Sequence, residues 1–160
     1  MCDALGEQRT ASRRTTDDHP TEARIMALEG EFLLLGRLLF GVLLLYNGYN
    51  HFANFEATKG YAEFKEVPAA SVLVVASGVM LLLGGLGIVL GVYPVLAAGA
   101  VAVFLAVTTP MIHDFWAVSD EERQNEFTHF LKNVGLLGAA LVFLSIGGEQ
   151  WAYAVNVGLF

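Results

Sequence analysis

Residues 67–113 read VPAASVLVVASGVMLLLGGLGIVLGVYPVLAAGAVAVFLAVTTPMIH, and these 47 positions contain no Asp, Glu, Lys or Arg. About 20 apolar residues suffice to carry a helix across the hydrocarbon core of a bilayer, so the run is long enough for two crossings. Its centre supplies the break. Gly91, Val92, Tyr93 and Pro94 pair a residue that ends helices with one that opens them. The reading is two spans, 69–90 and 94–112, joined by a tight turn. A soluble chain of 160 residues has too small an interior to bury such a stretch. The chain is therefore expected in a membrane.

Two more spans flank this pair. Upstream, residues 32–52 read FLLLGRLLFGVLLLYNGYNHF, with Arg37 as the one charge. Downstream, residues 129–146 form a fourth span that ends before Gly147 and Gly148. The connector 53–67 carries Glu56, Lys59, Glu63, Lys65 and Glu66, and the spacing of Phe55, Tyr61 and Phe64 suits a short helix along the lipid surface. In the charged connector 113–128, Ser119 followed by Asp120, Glu121 and Glu122 marks a helix start. The predicted architecture is all-α, an integral membrane four-helix transmembrane bundle over residues 32–148. A polar, disordered tail (1–31) precedes it, and an apolar interfacial segment (149–160) follows. Gly87 and Gly91, Ala98, Ala102 and Ala106, and Gly135 and Ala139 recur at helical spacing, as expected where helices pack closely in lipid.

Composition narrows the function classes. Hydrophobic residues make up 55% and charged residues 16% of the chain, whereas soluble domains carry about 25% charged residues. Asp and Glu outnumber Lys and Arg by 16 to 9, which argues against nucleic acid as a partner, because phosphate binding needs a basic face. The acidic balance also fits a salt-adapted organism, where salt screens self-repulsion; a pI near 4.9 is equally ordinary. Cys2 is the one cysteine, which excludes a disulfide scaffold. Arg13 and Arg14 are not followed by the apolar core of a secretory signal. Met26 lies six residues before the first span, so residues 1–25 are read as an extension to the working protein.

Charge counting does not orient the bundle. Arg9, Arg13, Arg14 and Arg24 lie on one side, against Lys59, Lys65, Arg123 and Lys132 on the other. Without an export signal, the N-terminus is expected in the cytoplasm. Alternating spans do fix one relation: the end of span one, the end of span three and the start of span four share one membrane face. Asn47, Asn50 and His51, then Thr109, His113 and Asp114, then His129, Lys132 and Asn133 occupy those places. Polar groups at membrane depth are costly and by default functional. Three chemistries suit them. His and Asn can hydrogen-bond a quinone headgroup, and His beside Asp114 can move a proton. Three histidines with Asp114 or Glu126 can ligate a transition metal, although no close metal-ligand spacing supports this and no metal is expected. The plain alternative is anchoring in the headgroup region, with Trp116 as an aromatic anchor. Arg37, on the opposite side, is expected to snorkel to a lipid headgroup or other anion.

Gly36-Arg37, Gly41, Gly48, Gly84-Gly85, Gly91, His113, Phe115-Trp116 and Phe130-Leu131-Lys132-Asn133 follow one another in an order and spacing that resembles the DoxX family of small four-helix membrane proteins. The likeness covers about residues 32–146. It implies a multi-pass protein of the prokaryotic cytoplasmic membrane. The family takes its name from subunits linked to thiosulfate:quinone oxidoreductase and terminal quinol oxidase complexes of archaea, and some members are associated with oxidative-stress or thiol-redox assemblies. Members often carry a Glu before the paired glycines. Here residues 76–83 read ASGVMLLL, without an acid, so a mechanism using that carboxylate is in doubt. No haem, flavin or iron–sulfur ligand set is visible, so no covalent cofactor is expected and quinone is the cofactor implied. The expected function is an accessory subunit of a quinone-linked membrane oxidoreductase. Its pocket would be built from Asn47, Asn50, His51, His113, Asp114, His129, Lys132 and Asn133. The alternative is a non-catalytic scaffold or small-molecule or lipid binder, acting through homo-oligomers or redox-complex subunits.

Overall fold

The computed structural model describes residues 19–158. The readings made on residues 1–18, including Cys2 and Arg13-Arg14, lie outside the described residues. Five helices follow in order: α1 His19–Ala53, α2 Phe55–Phe64, α3 Ala70–Leu90, α4 Pro94–Ile112 and α5 Asp120–Ser145. Three of them, α3, α4 and α5, are long and apolar enough to cross a membrane.

Residues 19–31 were read as tail, yet the structure continues α1 back through them to His19. Good helix formers (Glu22, Ala23, Arg24, Met26, Ala27, Leu28) fill this stretch. The apolar part of the same helix supplies the nucleus from which they propagate. The other boundaries follow the expected chemistry. α3 ends at Gly91, which takes the left-handed conformation at φ 67°. Pro94 opens α4. Ser119 takes the N-cap position of α5 through its backbone carbonyl, without a side-chain capping bond, and the first turn holds Asp120, Glu121 and Glu122. α5 thus begins nine residues before the expected span and runs into it without a break. The connector after α1 forms the short helix α2.

Packing starts with α1 against α3, where glycines set the distance. A Cβ on Gly41 would lie 2.9 Å from the Gly85 carbonyl oxygen, and a Cβ on Gly85 would lie 2.8 Å from that of Gly41. One heptad along, Gly48 meets the Gly78 carbonyl in the same way, at 2.9 Å. Helices in lipid gain from such close backbone approach, because hydrophobic burial gives them little. α3 turns tightly into α4, and α4 packs on α5. Ala98 and Ala102 are buried on α4, as their spacing suggested, whereas Ala106, read with them, is exposed. Gly135 and Gly138 on α5 have open space where a Cβ would stand.

Neighbouring helices run antiparallel, so the bundle has two unlike ends. At one end Phe40 of α1 stacks on Phe143 of α5, with ring centroids 5.4 Å apart. Of residues 149–160, expected as an interfacial segment, the described part (149–158) is held at this end by the α3–α4 turn. Val155 N–H donates to Leu90 O at 2.8 Å, Val157 N–H donates to Gly91 O at 3.3 Å, and Tyr93 N–H donates to Val157 O at 2.6 Å. Trp151 is buried, and its indole N–H donates to Ile146 O at 2.9 Å.

Arg37 lies beneath this segment and is fully buried. Its Nε donates to Ile88 O at 3.1 Å, Nη2 to Val89 O at 2.6 Å, and Nη1 to Ala152 O at 2.8 Å. The guanidinium also stands 5.2 Å from the centroid of the Trp151 ring. The expectation of snorkelling to a headgroup is therefore corrected: the side chain turns inward. The last carbonyls of α3 lack partners within their own helix and carry the negative end of its dipole. Five rigid N–H donors on one cation suit them better than water does.

Candidate functional site

The opposite end of the bundle gathers the ends of α1 and α4 with the starts of α3 and α5. A cleft of about 390 Å³ opens there. Leu44, Asn47 and His51 of α1 line it, with Ser77 and Leu81 of α3, Thr108 and Met111 of α4, His113, and Lys132, Asn133 and Leu136 of α5. Helix α2 adds Thr58, Tyr61 and Ala62. The polar side chains are grouped at the rim, and Leu, Val, Met and Phe side chains of the four long helices form the rest.

His113 is the C-cap residue of α4, and Glu126 lies in the second turn of α5. The His113 Nδ1 stands 2.8 Å from Glu126 Oε2. The other carboxylate oxygen accepts from the Tyr61 hydroxyl at 2.7 Å. His129 lies behind His113, its ring stacked on it with centroids 5.2 Å apart. Lys132 Nζ is 3.4 Å from His129 Nδ1. Burial pushes the His113 imidazole below its usual range, against the opposing pull of Glu126. Burial, with the adjacent Glu126 carboxylate, pushes the Tyr61 phenol above its own. A neutral ring facing a carboxylate donates through Nδ1–H, which leaves Nε2 with a lone pair.

Two polar contacts tie α2 to this end, beside an apolar one of Ala62 with Ala70 and Val74 of α3. Tyr61 reaches Glu126, and Lys65, nearly buried, pairs with Asp114 just after α4. At the far wall His51 Nδ1 is 3.0 Å from the Ser77 hydroxyl.

Of the residues read from the sequence as a pocket, Asn47, His51, His113, Lys132 and Asn133 line the cleft. Three stand elsewhere. Asn50 accepts from the Asn54 amide at 2.6 Å, Asp114 pairs with Lys65, and His129 backs His113. Tyr61, Lys65 and Ser77 were not read as site residues, and Glu126 was considered solely as a metal ligand. The signal for Glu126 was present, because 126, 129 and 133 share a helix face once α5 starts at Asp120. Tyr61 and Lys65 are likewise four apart. Among the described residues no group of three or more His, Cys, Asp or Glu side chains is arranged to hold a metal ion.

Three apolar helices of spanning length, two of them without a charge, with a glycine-packed α1–α3 seam and a polar rim at one end, define a helical membrane protein. Residues 32–114, just over half of the chain, match the family model described as DoxX. The chain belongs to the DoxX family. No curated protein and no solved structure matches it. The family match ends at Asp114, so Glu126, His129, Lys132 and Asn133 lie beyond it.

Proposed function

We propose that this chain is an accessory subunit of a quinone-linked membrane oxidoreductase and that its cleft receives a quinone-class headgroup. The observation that carries this reading is the cleft itself: a polar rim of Asn47, His51, His113, Lys132 and Asn133 above an apolar body. A hydrogen-bonding ring on an isoprenoid tail has the same two-part chemistry, and pockets of this size suit small ligands. Residues 32–52 of α1 form the fourth span in this reading, with the bundle in the cytoplasmic membrane. A bound quinone would supply electron transfer; the chain's own residues bind and orient its oxygens. Lys132 and the asparagine amides would donate to its carbonyl oxygens, and His113 and the asparagine carbonyls would accept only from the hydroxyls of the reduced form.

The test is titration of a short-chain benzoquinone analogue into detergent-purified protein and into an Asn47→Leu, Asn133→Leu variant. Binding weakened roughly tenfold in the variant is expected. Equal binding by the two proteins overturns the site.

A second reading, a non-catalytic scaffold, is favoured by the open face of α5 around Gly135 and Gly138. It predicts that substitutions on that face change partner capture while the cleft residues are dispensable.

A further inference from the structure

His113 lines the cleft while its Nδ1 is committed to Glu126, so Nε2 is the ring nitrogen left for a ligand. The carboxylate is committed in turn. Tyr61 donates to Oε1, which leaves Oε2 as the oxygen facing the ring. Glu126 is 9% exposed, so water does not compete strongly for it. One turn before His113 on the buried face of α4, the Thr109 hydroxyl is buried without a hydrogen-bond partner among the described residues.

We infer that Glu126, held by Tyr61, fixes His113 in the Nδ1–H tautomer and makes its Nε2 the acceptor for a ligand hydroxyl, so that the cleft prefers the dihydroxy, reduced form of a quinone-class ligand. The ligand class rests on the function proposed above; the tautomer does not. A carbonyl oxygen has no proton to offer Nε2 and leaves it desolvated without a partner. A phenolic O–H donates to Nε2 and still accepts from Lys132 Nζ. Sites built to bond a hydroxyl reject analogues without one by large factors, because their own polar groups are stranded. Burial favours the neutral ring against the opposing pull of Glu126, and the charges around it are Glu126 on one side, His129 and Lys132 of α5 on the other, with Lys65 and Asp114 at the α2 contact. The arrangement parallels a carboxylate that sets the tautomer and orientation of a catalytic histidine. Glu126 and Tyr61 are positioning residues in it.

Glu126→Gln gives the sharpest test. Tyr61 still donates to the side-chain oxygen, so the new amide N–H₂ faces His113. The ring must then accept at Nδ1 and carry its proton on Nε2. Long-range proton–nitrogen NMR of histidine-labelled protein in micelles reads the tautomer directly. The Nδ1–H form is expected in the wild type and the Nε2–H form in Glu126→Gln. A wild-type His113 protonated at Nε2 overturns the inference, whether or not any ligand binds.

The second arm compares a short-chain benzoquinol with its dimethyl ether and with the quinone, under anaerobic conditions. The wild type should bind the quinol roughly tenfold or more tightly than either analogue, and Glu126→Gln should reverse the order of quinol and quinone. Equal binding of all three by the wild type overturns the preference while the quinone reading stands. Absence of binding by all three overturns the quinone reading and the preference together, and the tautomer result still decides the role of Glu126. If Glu126→Gln fails to fold, the wild-type tautomer and the ether comparison decide alone.

Discussion

Replacing Arg37 with Met removes a buried cation and keeps most of its apolar stem. The guanidinium serves three close carbonyl oxygens: Ile88 at 3.1 Å, Val89 at 2.6 Å and Ala152 at 2.8 Å. A hydrogen bond to a charged group contributes about 1.5–3 kcal/mol net. The three are not additive, because desolvating the cation offsets part of the gain and no carboxylate among the described residues pairs with it. Losing one partner of a buried charged contact costs about 3–5 kcal/mol, and that range is the expectation for Arg37→Met. Two carbonyls at the end of α3 would then face apolar surroundings. Arg37→Lys keeps the charge but cannot fork between α3 and the C-terminal segment, so an intermediate loss is expected. The assay is reversible unfolding by sodium dodecyl sulfate in mixed micelles, read by tryptophan fluorescence. A Trp116→Phe background leaves Trp151, 5.2 Å from the guanidinium, as the reporter. Deleting residues 149–160 removes Trp151, so that variant and the double variant are read by Trp116 in the parent background. The deletion should destabilise the protein too, and the two changes should be strongly non-additive, since each removes the other's partner. An Arg37→Met variant within about 0.5 kcal/mol of the wild type, the range of ordinary surface substitutions, would refute the carbonyl clamp.

The glycine seam and the open α5 face give opposite expectations. Gly41→Leu should abolish monodisperse protein in size-exclusion chromatography, whereas Gly135→Leu should leave the elution profile unchanged, because a Cβ there meets nothing within 4 Å. Acid should destabilise the bundle through His113. Its folded pKa lies below the unfolded value of about 6.5, so the unfolded chain takes up the proton first. Stability therefore falls as pH drops from about 6.5 towards the folded pKa. Detergent unfolding at pH 7.5 and 5.5 should show this loss, and His113→Gln should reduce it. Lys65→Ala should free the α2 connector: limited proteolysis between residues 54 and 68 should quicken while the rest of the chain stays protected. Unchanged cleavage there would mean that Tyr61 and the apolar contact of Ala62 with α3 hold α2 without Lys65.

The helices and their turns were legible because each is a local property. A long charge-free run, Gly91 with Pro94, and Ser119 before three acids act over a few residues of chain, and they set helix and membrane whatever lies nearby. α1 shows the limit of composition. A polar stretch that looked like a tail became helix once it was continuous with an apolar one. The convergence of His51 and His113 on one cleft was also accessible, since helices that must alternate in direction bring given ends together. What a side chain meets there was not accessible. Arg37 looked like a lipid contact until α3 presented its carbonyls from more than fifty residues away and the C-terminal segment closed over it. Glu126 looked like loop charge until Tyr61 and His113 reached its two oxygens from different helices. Patterning along the chain specified where the polypeptide crosses and turns, because hydration and backbone bonding are settled residue by residue. Only the packed bundle decided which polar group each buried charge would bond, because in a medium without water those partners come from whichever distant segment geometry delivers.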